Sequence, residues 1–595
     1  MENNLVKPKK LAGKEYAFDA FSNGQVLLGK KKGHLPAMGW NSWNAFGSGN
    51  TAALTKEMAD KIVELELDKL GYRYVVLDDG CYKPERVDGK LSNEENKFPE
   101  GFKALADYIH KKGLKFGMYN DIGTNLCAGA AVGTCGHEEV DTRSYIEWGV
   151  DFLKVDNCYY LWDNATFSAA SNAKYVYAPN IRSVRVVSDE YKQKFLAVRD
   201  GKLTGLGCRA EKDYVTNIGT FDGTNVGTSP IGPRSGELEF DIMVPAEGEY
   251  TVYVTYATGE EPGVGSWLQI AVEEKLYYDD FLSATSGKET FCESNGIKVL
   301  LTAGQNRLRL MNHRRQENTL NSYATLLEGL NKAKPDHDVI FSICEWGKTQ
   351  PHNWGYKVGD SWRILNDITF CVGADGNPGR GSWFDPGTPS VTSQYDKAVI
   401  MDEFSGLDKG WNDPDMMMIG MDGLDDTMCR THMAMWCMMN APLMLGLDLR
   451  RVKMGDALWQ IIANKELIAL NQDELGIQAK RVYTTIETDT PDTDYITNHN
   501  RCDILAKPLA DGSIALCFIN VSDKPWEKRL QITTEQIVKL LGKKMKNAEQ
   551  FEKAVSYEIT DLWSGKTVKN TDRCFTVEKL APCESVTLRV KPMQG

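Results

Sequence analysis

The feature that most constrains the fold is a unit that recurs three times in the first third of the chain. Each copy consists of a helical pattern, a glycine, a short apolar run and an acidic tip, and the copies span 52–79, 102–121 and 141–156. Alternation of this kind predicts parallel βα units with right-handed crossovers. Parallel strands present their C-terminal ends on one side, so the acidic tips meet there. The repeat therefore predicts a (β/α)8 TIM barrel with its functional site on that face.

The third copy ends in a strand, 151–156, in which charged and apolar residues alternate. Lys154 and Asp156 therefore point to the same face of the strand. Burying a lysine beside an aspartate is costly unless the two groups, or a ligand, satisfy each other. At the C-terminal tip of a barrel strand such a pair indicates catalysis. On these residues alone, a surface ion pair remains the alternative.

The βα pattern stops at about residue 180 and returns after about residue 315. The intervening chain has runs of period two, clearest at 237–244 and 248–256, which predict an inserted β-sandwich. Strand-like runs reappear after about residue 485. The predicted domains are an N-terminal extension (1–33), a catalytic barrel (34–178 and 316–480), the inserted β-sandwich (179–315) and a C-terminal antiparallel β-sandwich (485–595).

Charge and composition narrow the classes of partner. The formal net charge is −13 and the pI is near 5.3, which argues against nucleic acid or an anionic membrane surface and fits a neutral substrate. No signal peptide and no long apolar run are visible, and the 14 cysteines do not form a dense framework. From these features we expect a cytoplasmic protein.

Six motifs occur in the order found in one family of enzymes. They are MGWNSW (38–43), LDD (77–79), KVDNC (154–158), CEWG (344–347), SWR with Asp367 (361–367) and GWNDPDM (410–416). In these motifs, over about 34–178 and 316–480, the chain resembles the α-galactosidases of glycoside hydrolase family 27. The resemblance implies a retaining exo-glycosidase that releases terminal α-linked galactose by double displacement, through a covalent galactosyl-aspartate.

The resemblance also implies the catalytic pair. A retaining glycosidase uses two carboxyl groups about 5–5.5 Å apart, one as nucleophile and one as proton shuttle. By resemblance Asp156 is the nucleophile and Asp367 the acid/base. Lys154 is expected to keep Asp156 ionised and to help bind the sugar, because a nearby opposite charge lowers a carboxylate pKa. Arg363 matches a sugar-contacting arginine.

The remaining substrate-binding residues follow from the same resemblance. Asp78 and Asp79 match the pair that binds the 4- and 6-hydroxyls of the sugar. Cys344 and Trp346 match bulky residues that crowd its 2-position. The other implied sugar-lining positions are Trp43, Tyr119, Glu345 and Asp415. We expect no metal and no cofactor, since the chain has only eight His and no comparable ligand cluster.

Cys127 and Cys158 match a pair that forms a disulfide in secreted relatives, close to the nucleophile. Two buried thiols remain the alternative in a reducing compartment. The chain departs from the family pattern at Gly80-Cys81, where Cys-Trp is usual, and in a longer loop at 373–390. These departures leave the aglycone side of the site open.

Three rival functions remain open at this stage. Within the family they are β-L-arabinopyranosidase and α-N-acetylgalactosaminidase, and outside it a non-catalytic carbohydrate-binding protein. The inserted domain resembles a carbohydrate-binding module, with a structural role favoured over sugar binding. The expected partner is a galactosylated oligosaccharide or glycoconjugate. We expect no nucleic-acid and no membrane partner, and a homo-oligomer is left open.

Overall fold

The structure is a computed structural model of the chain. It describes residues 33–158, 178–204, 208–218, 236–258, 266–312, 314–368, 370–371, 380–386 and 389–593. Within those ranges no helix combines the length and the apolar character that crossing a bilayer requires.

Eight strands form one parallel sheet, and we number them in chain order. They are β1 (Met38–Asn41), β2 (Tyr74–Val76), β3 (Lys115–Asp121), β4 (Phe152–Asp156), β5 (Ile340–Cys344), β6 (Ser361–Arg363), β7 (Trp411–Asp413) and β8 (Leu443–Leu445). Their spatial order is β7–β6–β5–β4–β3–β2–β1–β8. A parallel bridge between Met417 and Leu445 joins the chain after β7 to β8 and closes the sheet. The predicted (β/α)8 barrel is confirmed.

The alternation along each strand sorts side chains into two apolar cores. Leu153 and Val155 belong to the large core between the sheet and the helices around it. Phe152 belongs instead to a small cluster inside the barrel, together with Val76 and Ile340 from β2 and β5. Lys154 and Asp156 have the same parity as Phe152, so they follow it up the inside of the barrel. The strand pattern predicted this arrangement correctly.

Helices surround the barrel and connect its strands. They are Ala52–Glu64, Gly101–Lys111, Glu138–Trp148, Arg314–Ala333, Val391–Ala398, Asp426–Met438, Ala457–Ile462 and Lys465–Asn471. The glycines predicted to end the first three helical patterns, Gly71, Gly113 and Gly149, all have positive φ, of 106°, 78° and 80°. Such a conformation favours glycine because it has no Cβ.

The first helix is shorter than its sequence pattern. We predict a helix up to Leu70, whereas the α-helix ends at Glu64 and a separate turn of 3-10 helix covers Asp68–Leu70. Between the two, Glu66 takes a positive φ of 56°. The apolar spacing continues because Leu65 and Leu67 remain buried in the core. Burial therefore extends the pattern beyond the helix itself.

Two antiparallel sheets occupy the chain between β4 and β5. One has five strands, in the order Lys275–Leu282, Ser266–Val272, Gly304–Met311, Glu237–Val244 and Lys202–Thr204. The other is built on Gly248–Ala257 and Asn180–Val187; its further strands are Lys192–Leu196, Arg209–Ala210, Val215–Thr216, Cys292–Glu293 and Ile297–Leu301. Their inner faces share a core of aliphatic and aromatic side chains.

The C-terminal region is also antiparallel. Its main sheet contains, in spatial order, Lys480–Thr484, Cys502–Pro508, Ile514–Asn520, Ser585–Met593, Ser556–Asp561 and Thr567–Asn570. A two-stranded sheet, Leu530–Thr533 with Cys574–Val577, and the helices Thr534–Leu541 and Ala548–Lys553 complete it. The barrel helix Asp426–Met438 packs on this sheet, whose residues Ala515 and Cys517 join the barrel's core.

Candidate active site

Polar side chains converge at the C-terminal ends of the barrel strands. They come from seven strands or the residues directly after them: Asn41, Asp78 and Asp79, Tyr119 and Asp121, Lys154 and Asp156, Cys344, Arg363 and Asp367, and Asp413 with Asp415. Most of them are buried, although the interior of the barrel below them is apolar. Buried polar groups of this density require partners, and the contacts below show how they find them.

Asp156 lies at the centre of this group and is 5% exposed. Its Oδ2 accepts a hydrogen bond from the Tyr119 hydroxyl at 3.1 Å, and its Oδ1 accepts one from the backbone N–H of Asn157 at 2.9 Å. Burial raises the pKa of Asp156 to about 7, the Lys154 ammonium opposes that rise, and the Asp367 carboxylate adds to it. The carboxyl is therefore able to change its charge near neutral pH.

Lys154 makes its direct contact with Asp78 and not with Asp156. Its Nζ donates to Asp78 Oδ2 at 2.8 Å, and the same oxygen accepts from Asn41 Nδ2 at 2.8 Å. The sequence predicted that Lys154 would lower the pKa of Asp156. Lys154 does act in that direction, but the desolvation of Asp156 is the larger effect and the pKa is raised.

Asp79 is fixed by backbone donors. Its Oδ2 accepts from the N–H of Ala128 at 2.7 Å, and its Oδ1 from the N–H of Gly80 at 2.6 Å. Burial raises the pKa of Asp79 to about 6, against these two hydrogen bonds. Gly80 has φ of 95°, and a Cβ there would lie 2.6 Å from Ser48, which explains the glycine in this departure from the family pattern.

Arg363 contacts both the acid/base candidate and a carboxylate that follows the neighbouring strand β7. Its Nη2 lies 3.0 Å from Asp367 Oδ1 and 2.6 Å from Asp415 Oδ2. Asp415 is buried, has a positive φ of 78° and also accepts from the N–H of Ile368 at 2.8 Å. The Asp367 side chain is 51% exposed. A buried carboxyl, Asp156, thus faces a solvent-accessible one, Asp367.

The segment after the nucleophile candidate is held by a disulfide and a buried carboxylate. Cys127 and Cys158 form a disulfide, so the alternative of two thiols is wrong. Asp121 accepts from the N–H of Cys158 at 2.7 Å and from that of Gly123 at 2.6 Å. The strand register places Asp121 beside Asp156. Asp121 was missed as a site residue, although its position at an acidic strand tip was visible.

The same four residues, Asp121, Cys127, Asp156 and Cys158, bring oxygen and sulfur atoms within 4.8 Å of one another. A metal ion would require the cysteines as thiolates. Their sulfurs are joined to each other instead, so this donor set does not fit a metal. That the protein needs no metal and no cofactor stays a prediction.

The residues at the end of β5 have two different roles. The thiol of Cys344 is buried and lies 3.6 Å from Arg363 Nη1, and Trp346, half-buried, has a positive φ of 60°. Glu345 has no exposure, and its Oε2 accepts from both the backbone N–H and the hydroxyl of Thr349. The structure therefore places Glu345 in a supporting turn and not among the groups around Asp156.

Trp43 follows β1 and is half-buried, packed against the apolar cluster inside the barrel. Asn41 and Asp413 also belong to the site, although the sequence did not single them out. Asn41 donates to Asp78, and Asp413 accepts from the N–H of Asp415 at 2.8 Å. Burial raises the pKa of Asp413 to about 6. Both residues lie in motifs whose other members were predicted.

The comparisons with known proteins agree with this geometry. A family model described as "Alpha galactosidase A" matches residues 35–188 and 391–473, and one described as "Alpha galactosidase C-terminal beta sandwich domain" matches 499–590. The chain is 26% identical to "Alpha-galactosidase A" of Cellvibrio japonicus over 89% of this chain and 86% of that protein. It is 28% identical to an α-galactosidase of Coffea arabica over 77% of this chain and 75% of that protein.

The fold has solved counterparts. α-Galactosidase I of Mortierella vinacea superimposes with a TM-score of 0.58 at 22% identity, covering 94% of this chain and 98% of that one. At this identity the likeness concerns the fold alone.

Proposed function

The chain belongs to the α-galactosidase family, glycoside hydrolase family 27, and it is a galactoside hydrolase; we propose that Asp156 and Asp367 carry its reaction, the release of terminal α-linked galactose with retention of configuration. The observation that carries this assignment is that one of the two carboxyl groups is buried and the other is exposed to solvent. Asp156 is buried and oriented by Tyr119 and Asn157, whereas Asp367 reaches solvent and is held by Arg363.

The first step forms a bond between Asp156 and the sugar. A carboxylate oxygen of Asp156 attacks the anomeric carbon, and the bond from that carbon to the leaving oxygen breaks. Asp367 transfers its proton to the leaving oxygen, so the aglycone departs as a neutral alcohol. The product of this step is a galactosyl ester of Asp156, with Asp367 ionised.

The second step returns both groups to their starting state. A water molecule attacks the anomeric carbon and gives its proton to Asp367, and the ester oxygen of Asp156 leaves as a carboxylate. Two inversions at one carbon give net retention. The exposure of Asp367 supports this role, because the leaving alcohol and the incoming water must both reach this carboxyl.

Sugar recognition is assigned to two adjacent carboxylates after β2, Asp78 and Asp79. Asp78 has one oxygen occupied by Lys154 and Asn41, which orients the carboxylate, and Asp79 is oriented by backbone N–H groups. A site built to bind sugar hydroxyls rejects an analogue that lacks them, because its buried polar groups are then left unpaired. We assign the 4- and 6-hydroxyls of galactose to Asp78 and Asp79.

Residues around the sugar site also disfavour the rival sugars. β-L-Arabinopyranose lacks the 6-hydroxymethyl group that an oriented Asp79 would bind. An N-acetyl group at the 2-position would meet the buried Cys344 and the half-buried Trp346. A non-catalytic binding protein would have no need of a buried carboxyl oriented by Tyr119 and Asn157 together with a second carboxyl held by Arg363.

The test is a panel of para-nitrophenyl glycosides with the Asp156→Asn variant. The wild type is expected to prefer α-galactoside over α-N-acetylgalactosaminide and β-L-arabinopyranoside, and NMR should show α-galactose as the first product. In the variant kcat should fall by about 10⁴-fold or more, the scale of losing a catalytic nucleophile.

The matched control is Asp107→Asn, an aspartate on the exposed face of the helix Gly101–Lys111. This change should leave kcat on the α-galactoside within about twofold of wild type. Turnover by Asp156→Asn at the wild-type rate, or release of β-galactose first, would contradict the proposed roles.

A further inference from the structure

Phe384 is an aromatic side chain in an unusual setting. It lies in the long loop between β6 and the helix Val391–Ala398, and it is 51% exposed. Wherever the structure describes a Phe, Trp or Tyr side chain, every other one is buried or half-buried. Single exposed aliphatic residues are ordinary, but an exposed aromatic ring on the loop that carries the acid/base candidate calls for a functional reading.

The backbone around Phe384 is held on both sides. The indole N–H of Trp383 donates to the carbonyl of Val521 at 3.0 Å, and the N–H of Thr392 donates to the carbonyl of Trp383 at 3.0 Å. The Ser382 hydroxyl donates to the carbonyl of Phe384 at 2.9 Å. A ligand that bound this ring would therefore pay little to order the segment that presents it.

The ring contacts the side chain of His499, from the C-terminal region. The centroid of Phe384 lies 4.5 Å from that of His499, with the two planes tilted by 59°. His499 in turn contacts Asp396 at 2.7 Å. The part of the ring that does not contact His499 is open to solvent.

Strand pairing and one helix hold the chain beside Phe384 and the chain beside Asp367. Two short antiparallel strands follow Asp367, with Phe370 opposite Gly381 and Cys371 opposite Arg380. Three residues of chain on each side and one strand spacing limit the separation of the Cα atoms of Asp367 and Phe384 to about 25 Å. The helix Val391–Ala398 contacts the chain beside both residues: its Gln394 side chain donates to the carbonyl of Asn366, and the N–H of its Thr392 donates to the carbonyl of Trp383. The chain next to Asp367 and the chain next to Phe384 are thus held by one turn of the same helix.

The chemistry gives the side of the substrate that points this way. Asp367 protonates the leaving oxygen, so the aglycone lies on its side of the scissile bond. From this placement we infer that Phe384 is a binding platform for a distal sugar unit of the aglycone, which stacks the apolar face of its ring on the phenyl face. The inference rests on the proposed function and deepens it, since it assigns a preference for extended galactosides.

The test compares substrates of increasing length on one enzyme. We would measure kcat/KM on para-nitrophenyl α-galactoside, melibiose, raffinose and stachyose for wild type, Phe384→Ala, Phe384→Leu and Phe384→Trp. The ratio of kcat/KM on stachyose to that on para-nitrophenyl α-galactoside should fall about five- to tenfold in Phe384→Ala, the scale of one lost aromatic contact. The ratio should fall by a similar factor in Phe384→Leu. In Phe384→Trp it should stay the same or rise.

The control is Val568→Ala, an exposed apolar residue on an edge strand of the C-terminal sheet, which should leave the ratio within about twofold of wild type. Equal ratios in wild type and Phe384→Ala would overturn the platform. A ratio restored by Phe384→Leu would also overturn it, because an apolar surface without a ring would then suffice. Absence of any galactoside cleavage by wild type would instead contradict the proposed function.

Discussion

The ionisation of Asp156 is decided by its immediate neighbours. Burial pushes its pKa up to about 7, and the Asp367 carboxylate acts in the same direction, while the Lys154 ammonium pulls it down. A nucleophile must be ionised, so only the fraction of free enzyme with a charged Asp156 can react. Lys154 thereby acts on the nucleophile through space, although its hydrogen bond goes to Asp78.

Replacing Lys154 by Met should move the acid limb of the kcat/KM profile to higher pH. The raised pKa of Asp156 means that activity is lost as the pH falls below about 7. Removing the ammonium takes away the effect that lowers this pKa, so the pKa rises further. The measurement is kcat/KM on para-nitrophenyl α-galactoside between pH 4 and 9. Its matched control, Lys103→Met, removes an exposed helix lysine and should leave the limb in place; a limb that moved to lower pH in Lys154→Met would contradict the argument.

The sequence located most site residues but not all of their contacts. Asp156, Asp367 and Arg363 were predicted because their motifs match those of the family, and the barrel brings them together at the ends of β4 and β6. The partner of Lys154 was not predictable, because Asp78 lies 76 residues away in the sequence and follows a strand that is separated from β4 by β3. Glu345 was placed with the substrate by its motif, whereas alternation along the chain turns it toward Thr349.

At the scale of elements, the helix Val391–Ala398 supports the acid/base loop. All of its residues are buried, and its Gln394 side chain donates to the carbonyl of Asn366 at 2.6 Å, next to Asp367. Its N-terminus is closed by a capping box in which the hydroxyls of Ser390 and Ser393 accept from each other's backbone N–H. The cap determines where the loop ends and the helix begins.

Replacing Ser390 by Ala should lower the free energy of unfolding by about 0.5–2 kcal/mol, because a buried backbone donor loses its acceptor. Urea denaturation monitored by circular dichroism measures this. The matched control is Thr533→Ala, which removes the equivalent hydroxyl from the capping box of Thr534–Leu541. The hydrogen bond lost there is exposed to solvent. We expect the loss at Ser390 to be the larger one. An unchanged denaturation midpoint in Ser390→Ala would show that the cap does not stabilise this helix.

The elements were predicted best where apolar periodicity is strong. The strand at 237–244 was placed to the residue, and Gly113 and Gly149 end their helices as expected. The helix Val391–Ala398 was not predicted. Its sequence follows a loop rich in Gly, Pro and Ser. The helix is buried although most of its residues are polar or charged, so no run of apolar residues marks it as part of the core.

At the scale of the whole molecule, a buried ionic network joins the barrel to the C-terminal region. Arg501 donates to Asp396 on the barrel helix at 2.5 Å and to Asp503 on its own sheet at 3.0 Å. The Tyr395 hydroxyl donates to Asp503 at 3.0 Å. Arg501 has no exposure, so its charge depends on both carboxylates.

Replacing Asp396 by Asn should destabilise the enzyme by about 3–5 kcal/mol, because it leaves the Arg501 charge buried with only part of its compensation. Differential scanning calorimetry checks the change in Tm. Asp511→Asn breaks an ion pair with Arg589 in which both side chains are partly exposed, and it should cost no more than about 1 kcal/mol. Equal Tm values for the two variants would refute a structural role for the network.

The cytoplasmic location expected from the sequence stays a prediction. The disulfide between Cys127 and Cys158 weighs against it, because such bonds persist in oxidising compartments. Fractionation of producing cells with an activity assay would distinguish a cytoplasmic location from an oxidising compartment.

The closure of the barrel has a consequence for hydrogen exchange. The chain after β7 meets β8 through few residues: Met417 N–H donates to the carbonyl of Met444 at 2.8 Å, and Gly446 N–H donates to that of Met417 at 3.3 Å. This seam lies two residues from Asp415, the partner of Arg363. Opening of the barrel here would separate one wall of the sugar pocket from the rest. The slowest amides of β3 and β4 would then report global unfolding, while the seam amides report an earlier, local opening that a bound sugar suppresses.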